Sequence, residues 1–162
     1  MSESGYSTDE DSFYCDEMIR FKRCYRIQGL MRKAAHGDIY LAHRRNKEKT
    51  EVVLKVIKKR KSSLVPFEGR RVPAEVKYHA MCAAVDEGTV ALYDVIERVA
   101  DFILVMEKPS NSIDILELVN QYGPMSSETV RNTIKQVALS SLRHHEHAGV
   151  FHGDIKVRTI PV

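Results

Sequence analysis

Apolar and polar positions along the chain change period several times, and each change marks an element. Tyr25 to Leu30 and Gly37 to Ala42 read as two strands joined by a loop; a polar turn over 44–50 then leads to Glu51–Ile57, a β-branched run that reads as a buried strand. Residues 62–71 read as a connector. A helix is predicted from Pro73 to about Val85, because proline suits a first helical turn, where its missing N–H would have no partner. Ala91–Val99 and Asp101–Met106 fit two further strands. Ile113–Gln121 fits a short amphipathic helix with Ile113, Leu116 and Val119 available to one face. Ser126 or Ser127 can cap a longer helix over 127–148, with Glu128 in its first turn favouring the positive end of the dipole. Val130, Ile134, Val137, Ala138 and Leu142 recur along it at helical spacing, and Gly149 suits the position just past its end.

Composition narrows the class. At 162 residues, 43% hydrophobic and 29% charged, the chain has the make-up of one ordinary globular domain. No apolar run approaches the roughly 20 residues of a membrane-spanning helix, and the N-terminus lacks the basic region and apolar core of a secretory signal. Cys15, Cys24 and Cys82 show no metal-ligand spacing and no even-numbered framework, which points to a reduced compartment. The net charge of +3 hides an asymmetry: residues 1–19 carry Glu3, Asp9, Glu10, Asp11, Asp16 and Glu17 but no Lys or Arg. Residues 1–24 therefore read as an acidic, disordered tail, in which Ser2, Ser4, Ser7, Thr8 and Ser12 are either acceptors for acid-directed kinases or simply solvating. The basic run Lys58–Lys61 lacks interleaved aromatics and reads as a solvated loop rather than a nucleic-acid contact.

Candidate chemistry sits in a few tracts. Close to the C-terminus is Phe151-His152-Gly153-Asp154-Ile155-Lys156. Upstream, in order, stand Val52-Val53-Leu54-Lys55, then Glu75 in Val72-Pro73-Ala74-Glu75-Val76, then an apolar run from Phe102 to Met106 that leads into Glu107-Lys108-Pro109, and then Asp114. A lysine inside such an apolar strand needs its head group paired, since an unpaired buried charge is costly, and Glu75 is the candidate partner. His144, His145, His147 and His152 cluster, but no Cys or acid pair completes a metal site with them.

These tracts, in this order, resemble a protein kinase, and the stretch from about Tyr25 to Ile160 is similar to the Pim family of serine/threonine kinases. The family carries a hinge proline, which has no N–H to offer an adenine, and Pro109 matches it. Arg71–Val76 and Tyr122-Gly123-Pro124 also look like the Pim pattern. The implied fold is α+β and protein-kinase-like. A five-stranded antiparallel N-lobe sheet with the helix αC would occupy 25–106, and the hinge and a truncated helical C-lobe, ending after the catalytic loop, would occupy 107–162.

The resemblance implies transfer of the γ-phosphoryl of ATP to protein Ser or Thr hydroxyls, with ATP and Mg2+ as cofactors. Asp154 would accept the hydroxyl proton and Lys156 would lie beside the phosphoryl group. Lys55, held by Glu75, would pair with the nucleotide phosphates. Met31, Arg32, Gly37, Ile39, Val53, Met106 and Glu107 would line the nucleotide, and Asp114 would meet a ribose hydroxyl.

The chain also departs from the family. Arg32 and Ala34 take the first two glycine positions of the phosphate-covering loop and Gly37 keeps the third, so Arg32 and Lys33 would reach phosphate as charged side chains. Gly153 replaces an arginine that binds a phosphorylated activation loop, Thr159 replaces an asparagine metal ligand, and no DFG triplet follows. Two readings result. One is an active serine/threonine kinase; the other is a pseudokinase fragment that binds nucleotide and meets a protein partner through Ile134, Val137 and Leu142 of the exposed C-lobe helix. Expected partners are ATP and proteins, not nucleic acid or membrane, in the cytoplasm or also the nucleus.

Overall fold

Glycine at a two-residue turn, a serine cap and a β-branched strand each leave a local mark in the fold. The computed structural model describes residues 9–33, 37–45, 50–110 and 112–156, with the backbone alone for 9–12 and 15. In order these form helix α1 (Asp9–Cys24), strands β1 (Tyr25–Arg32), β2 (Asp38–Arg44) and β3 (Glu51–Lys58), a single 3-10 turn (Lys59–Lys61), strands β4 (Leu64–Phe67) and β5 (Arg70–Pro73), helix α2 (Ala74–Ala83), strands β6 (Leu92–Glu97) and β7 (Asp101–Glu107), and helices α3 (Ile115–Tyr122) and α4 (Ser127–Ala148). Five strands make one antiparallel sheet in the order β1-β2-β3-β7-β6, and β4 and β5 make a separate hairpin. The chain divides into two compact units, Met1–Lys77 with Leu92–Lys108, and Tyr78–Ala91 with Pro109–Val162.

In the first unit both sheet faces are covered. Val52, Leu54, Ile103 and Val105 point to one face, where Phe21 and Met18 of α1 pack on them. Ile57, Phe102 and Leu104 point to the other, against Val72 of β5 and Val76 of α2. Side chains alternate between the faces at period two, so the near-continuous apolar runs of β3 and β7 follow from burial on both sides. Burying one such side chain contributes about 1.5–3 kcal/mol. These two strands therefore form the most tightly held part of the unit.

The structure corrects the reading of residues 1–24 as a disordered tail. Asp9–Cys24 is helical, while residues 1–8 lie outside the described residues. Its apolar side chains are few but fall at helical spacing, Tyr14, Met18 and Phe21, with Tyr25 just beyond. Polar anchors add to the packing: Arg20 pairs with Asp94 at 3.1 Å, and Lys59 Nζ lies 2.6 Å from Glu97 and donates to the Tyr14 hydroxyl at 3.1 Å.

The connector predicted at 62–71 is largely the β4–β5 hairpin. Its two-residue turn has Glu68 at φ 47° and Gly69 at φ 77°, the double positive φ that matches the twist of hairpin strands. Pro73 ends β5, so α2 starts one residue later than predicted. Helix α3 starts at Ile115, not Ile113, because Asp114 is its cap, its carboxylate accepting the Glu117 N–H at 2.8 Å. Ser126 caps α4 by accepting the Thr129 N–H at 3.1 Å. Gly149 ends that helix in the left-handed conformation at φ 64°.

Candidate active site

Strand register gathers most of the predicted nucleotide-binding residues on one face of the sheet. Residues directly opposite across antiparallel strands project to the same side. Arg32, Ile39, Lys55 and Leu104 form one such row across β1, β2, β3 and β7. Leu41, Val53 and Met106 form the neighbouring row. Leu104 and Met106 pack with Val76, which identifies this as the face covered by α2.

Glu75, in the first turn of α2, reaches the same face. The Lys55 ammonium donates a hydrogen bond to Glu75 Oε1, closing the pair expected from the sequence. The Lys55 side chain is 20% exposed and that of Glu75 38%, so the pair is open to water on one side and accessible to a ligand. The charge is held in place without being sealed off.

Gly37, just before β2, has φ 151°, and a Cβ there would collide with the carbonyl oxygen of Val56. The third glycine position of the loop is thus required by a close backbone approach as well as by dihedral angle. Met31 lies exposed in the irregular pairing near the end of β1. Glu107 ends β7, and Lys108 after it pairs with Glu51 at 3.4 Å.

The second unit carries the remaining predicted residues. Asp114 caps α3 as described above. The Pro109 carbonyl accepts from the Ser112 hydroxyl at 2.9 Å, tightening the segment before that cap. In the loop after α4, Lys156 Nζ lies 2.7 Å from Asp154 Oδ2, and the Asp154 N–H donates to His152 Nδ1 at 3.2 Å. Gly153 between them has φ 71°, a left-handed conformation that a residue with a Cβ adopts only with strain. Asp154 and Lys156 are both exposed. Thr159 lies outside the described residues.

One polar cluster of this unit escaped the sequence reading. Asp86, in the loop after α2, is 4% exposed. It accepts hydrogen bonds from the Ser140 hydroxyl, from Arg143 Nη1 at 2.6 Å, and from the Thr89 hydroxyl and Gly88 N–H, each at 3.4 Å. His144 Nε2 lies 3.3 Å away and hydrogen-bonds the Thr89 hydroxyl at 2.7 Å. Burial pushes the Asp86 carboxyl up, but the Ser140, Arg143 and Gly88 hydrogen bonds and the Arg143 charge outweigh it and hold the group below the ordinary aspartate range. The cluster ties the loop to α4. Ser140, Arg143 and His144 at i, i+3 and i+4 were the available signal, though only the fold could show that an acid faces them.

Among the described residues, no group of three or more His, Cys, Asp or Glu is placed to hold a metal ion. His144 is engaged with Thr89 and Asp86 instead of with its neighbouring histidines. No helix of the described residues is long and apolar enough to cross a membrane.

Comparison with known proteins converges on the same reading. Residues 26–160 match the family described as protein kinase domain. The serine/threonine-protein kinase prk-2 of Caenorhabditis elegans is similar to the chain, with 26% identity over 145 residues. The match covers 88% of this chain and 32% of that protein, so the chain spans about a third of its relative's length.

Proposed function

The chain belongs to the protein kinase domain family, and on that premise we propose that it is a serine/threonine kinase of the Pim type, using ATP to phosphorylate protein hydroxyls. The observation that carries this is the Lys55–Glu75 pair. Two residues 20 apart in sequence, singled out for their chemistry, are in hydrogen-bond contact on the face that also presents Ile39, Val53 and Met106. In this role Lys55 orients the phosphates, and Glu75 keeps its ammonium from swinging to solvent. Ile39, Val53 and Met106 offer an apolar surface to the adenine.

Asp154 accepts the proton of the attacking hydroxyl, and Lys156 balances charge on the transferred group. Magnesium, bound as the ATP complex, would neutralise charge on the β- and γ-phosphates. The Pim assignment rests on Pro109, whose missing N–H removes one adenine contact from the hinge, and on the Arg71–Val76 phrase. The compartment we assign is the cytoplasm, with access to the nucleus.

A second reading, nucleotide and protein binding without turnover, draws on Arg32 and Ala34 at glycine positions and on Thr159 in place of an asparagine. Its partner surface is α4, where Ile134 and Leu142 are 63% and 49% exposed. Phosphoryl transfer separates the two. The kinase reading expects incorporation from ATP into serine-containing peptides that drops at least about 100-fold in Asp154→Asn. Binding of ATP with no incorporation by either protein would leave the second reading standing alone.

A further inference from the structure

Four consecutive cations, Lys58, Lys59, Arg60 and Lys61, run directly into Ser62 and Ser63, and the fold gives them unequal surroundings. Lys59 turns inward, its ammonium 2.6 Å from Glu97 and 5.2 Å from the centre of the Phe102 ring. Lys58, Arg60, Lys61 and Ser63 are exposed. Counted back from Ser63, exposed cations therefore stand at the second, third and fifth positions, and no acid lies between Lys58 and Phe67. The two serines differ as well. Ser62 is half-buried, and its hydroxyl donates to the Lys58 carbonyl at 3.0 Å. Ser63 stands in irregular backbone between the 3-10 turn and β4, with its side chain in solvent.

We propose that Ser63 is a phosphorylation site for a serine/threonine kinase with an acidic peptide cleft, and that Arg71 holds the phosphate once it is attached. Kinases select acceptors partly by the charge pattern around the hydroxyl. Carboxylates facing the second, third and fifth upstream positions pair with Lys61, Arg60 and Lys58. Drawing the segment out into a cleft costs little, because the 3-10 turn Lys59–Lys61 buries no residue and Ser62 is already extended at φ −125° and ψ 137°. In the reaction Ser63 Oγ forms a bond to the γ-phosphorus of ATP and the bond to the departing ADP breaks. The hydroxyl proton passes to the catalytic base of the modifying kinase. The product lies beside a cation, since Arg71 Nη2 donates to the Leu64 carbonyl at 2.8 Å, one residue from Ser63. A phosphoserine brings a charge of about −1.5 to −2 and three acceptor oxygens, and a guanidinium binds two such oxygens at once. The Ser63 carbonyl also accepts the Ala74 N–H at 2.9 Å, so a phosphate paired with Arg71 fastens β5 and the start of α2 to the turn before β4.

The test uses the full, folded chain carrying Asp154→Asn, so that the outcome does not depend on this chain's own turnover. It is incubated with MgATP and either a basophilic or an acid-directed serine/threonine kinase, and mass spectrometry locates the phosphate. The basophilic enzyme is expected to modify Ser63. Ser63→Ala is expected to abolish that incorporation, Ser62→Ala to leave its rate unchanged, and the double change Lys58→Ala with Arg60→Ala to lower it at least about tenfold. At low salt the modified protein is expected to melt about 2–4 °C higher than the unmodified one, and the rise is expected to vanish when Arg71→Ala is added. Phosphate on Ser62 or elsewhere but not on Ser63 overturns the proposal, as does modification of the urea-unfolded chain only. An unaltered rate in the double change, or equal modification of Ser63 by the acid-directed enzyme, overturns it too. So does a Ser63 phosphate that leaves the melt unmoved or raises it equally with Arg71→Ala.

Discussion

Lys55 and Glu75 hold most of the functional argument, and each is informative only through the other. A lysine on an apolar strand and a glutamate in a helix's first turn are ordinary alone; in contact they make an oriented cation on a ligand-accessible face. Removing that cation in Lys55→Met is expected to lower kcat/KM for peptide phosphorylation by about 100-fold or more, with circular dichroism unchanged. Gly37 tests the backbone instead of a charge. Because of its positive φ and the Val56 carbonyl beside it, Gly37→Ala is expected to cost about 1–3 kcal/mol, read from urea unfolding. Both residues were visible in the sequence, since a charge amid β-branched residues and a glycine ahead of a strand are local signals. Asp86 was not. Its importance comes from donors on α4 more than fifty positions away, and no local pattern announces such a partner.

Elements were legible where one face is apolar at a regular period and ambiguous where few contacts do the holding. The runs of β3 and β7 and the capped α4 follow directly from their residues. Helix α1 did not, because its acid-rich composition masks three apolar positions at helical spacing, Tyr14, Met18 and Phe21. Its contribution can be measured: Phe21 is 6% exposed, so Phe21→Ala is expected to destabilise the protein by about 3–5 kcal/mol in chemical denaturation. The hairpin was hidden by Pro66 within β4 and by a Glu-Gly turn in place of the commoner Asn-Gly.

The loop after α2 carries a pH dependence. The Asp86 carboxyl is held low, so the stability it contributes is complete above the ordinary aspartate pKa of about 3.9 and is lost as pH falls through its lower folded-state value. Thermal melts of Asp86→Asn are expected to show lower stability near neutrality and a flatter acid limb than wild type. Equal acid limbs would mean that the cluster adds nothing beyond packing.

At the scale of the whole molecule, the kinase domain match over 26–160 and the α+β architecture agree with what ordered motifs implied. Order did the work that no single motif could, because lysine strand, acidic helix turn, hinge and aspartate loop follow one another at spacings that chance rarely supplies. Central to the proposed activity is that Lys55 and Glu75, in contact, serve ATP as one unit. ATP affinity measured across wild type, Lys55→Met, Glu75→Gln and the double variant tests this most directly. The predicted result is strong non-additivity, each single change weakening binding and the double change losing little more than Lys55→Met alone. Additive losses, or affinities that none of the changes disturb, would contradict it.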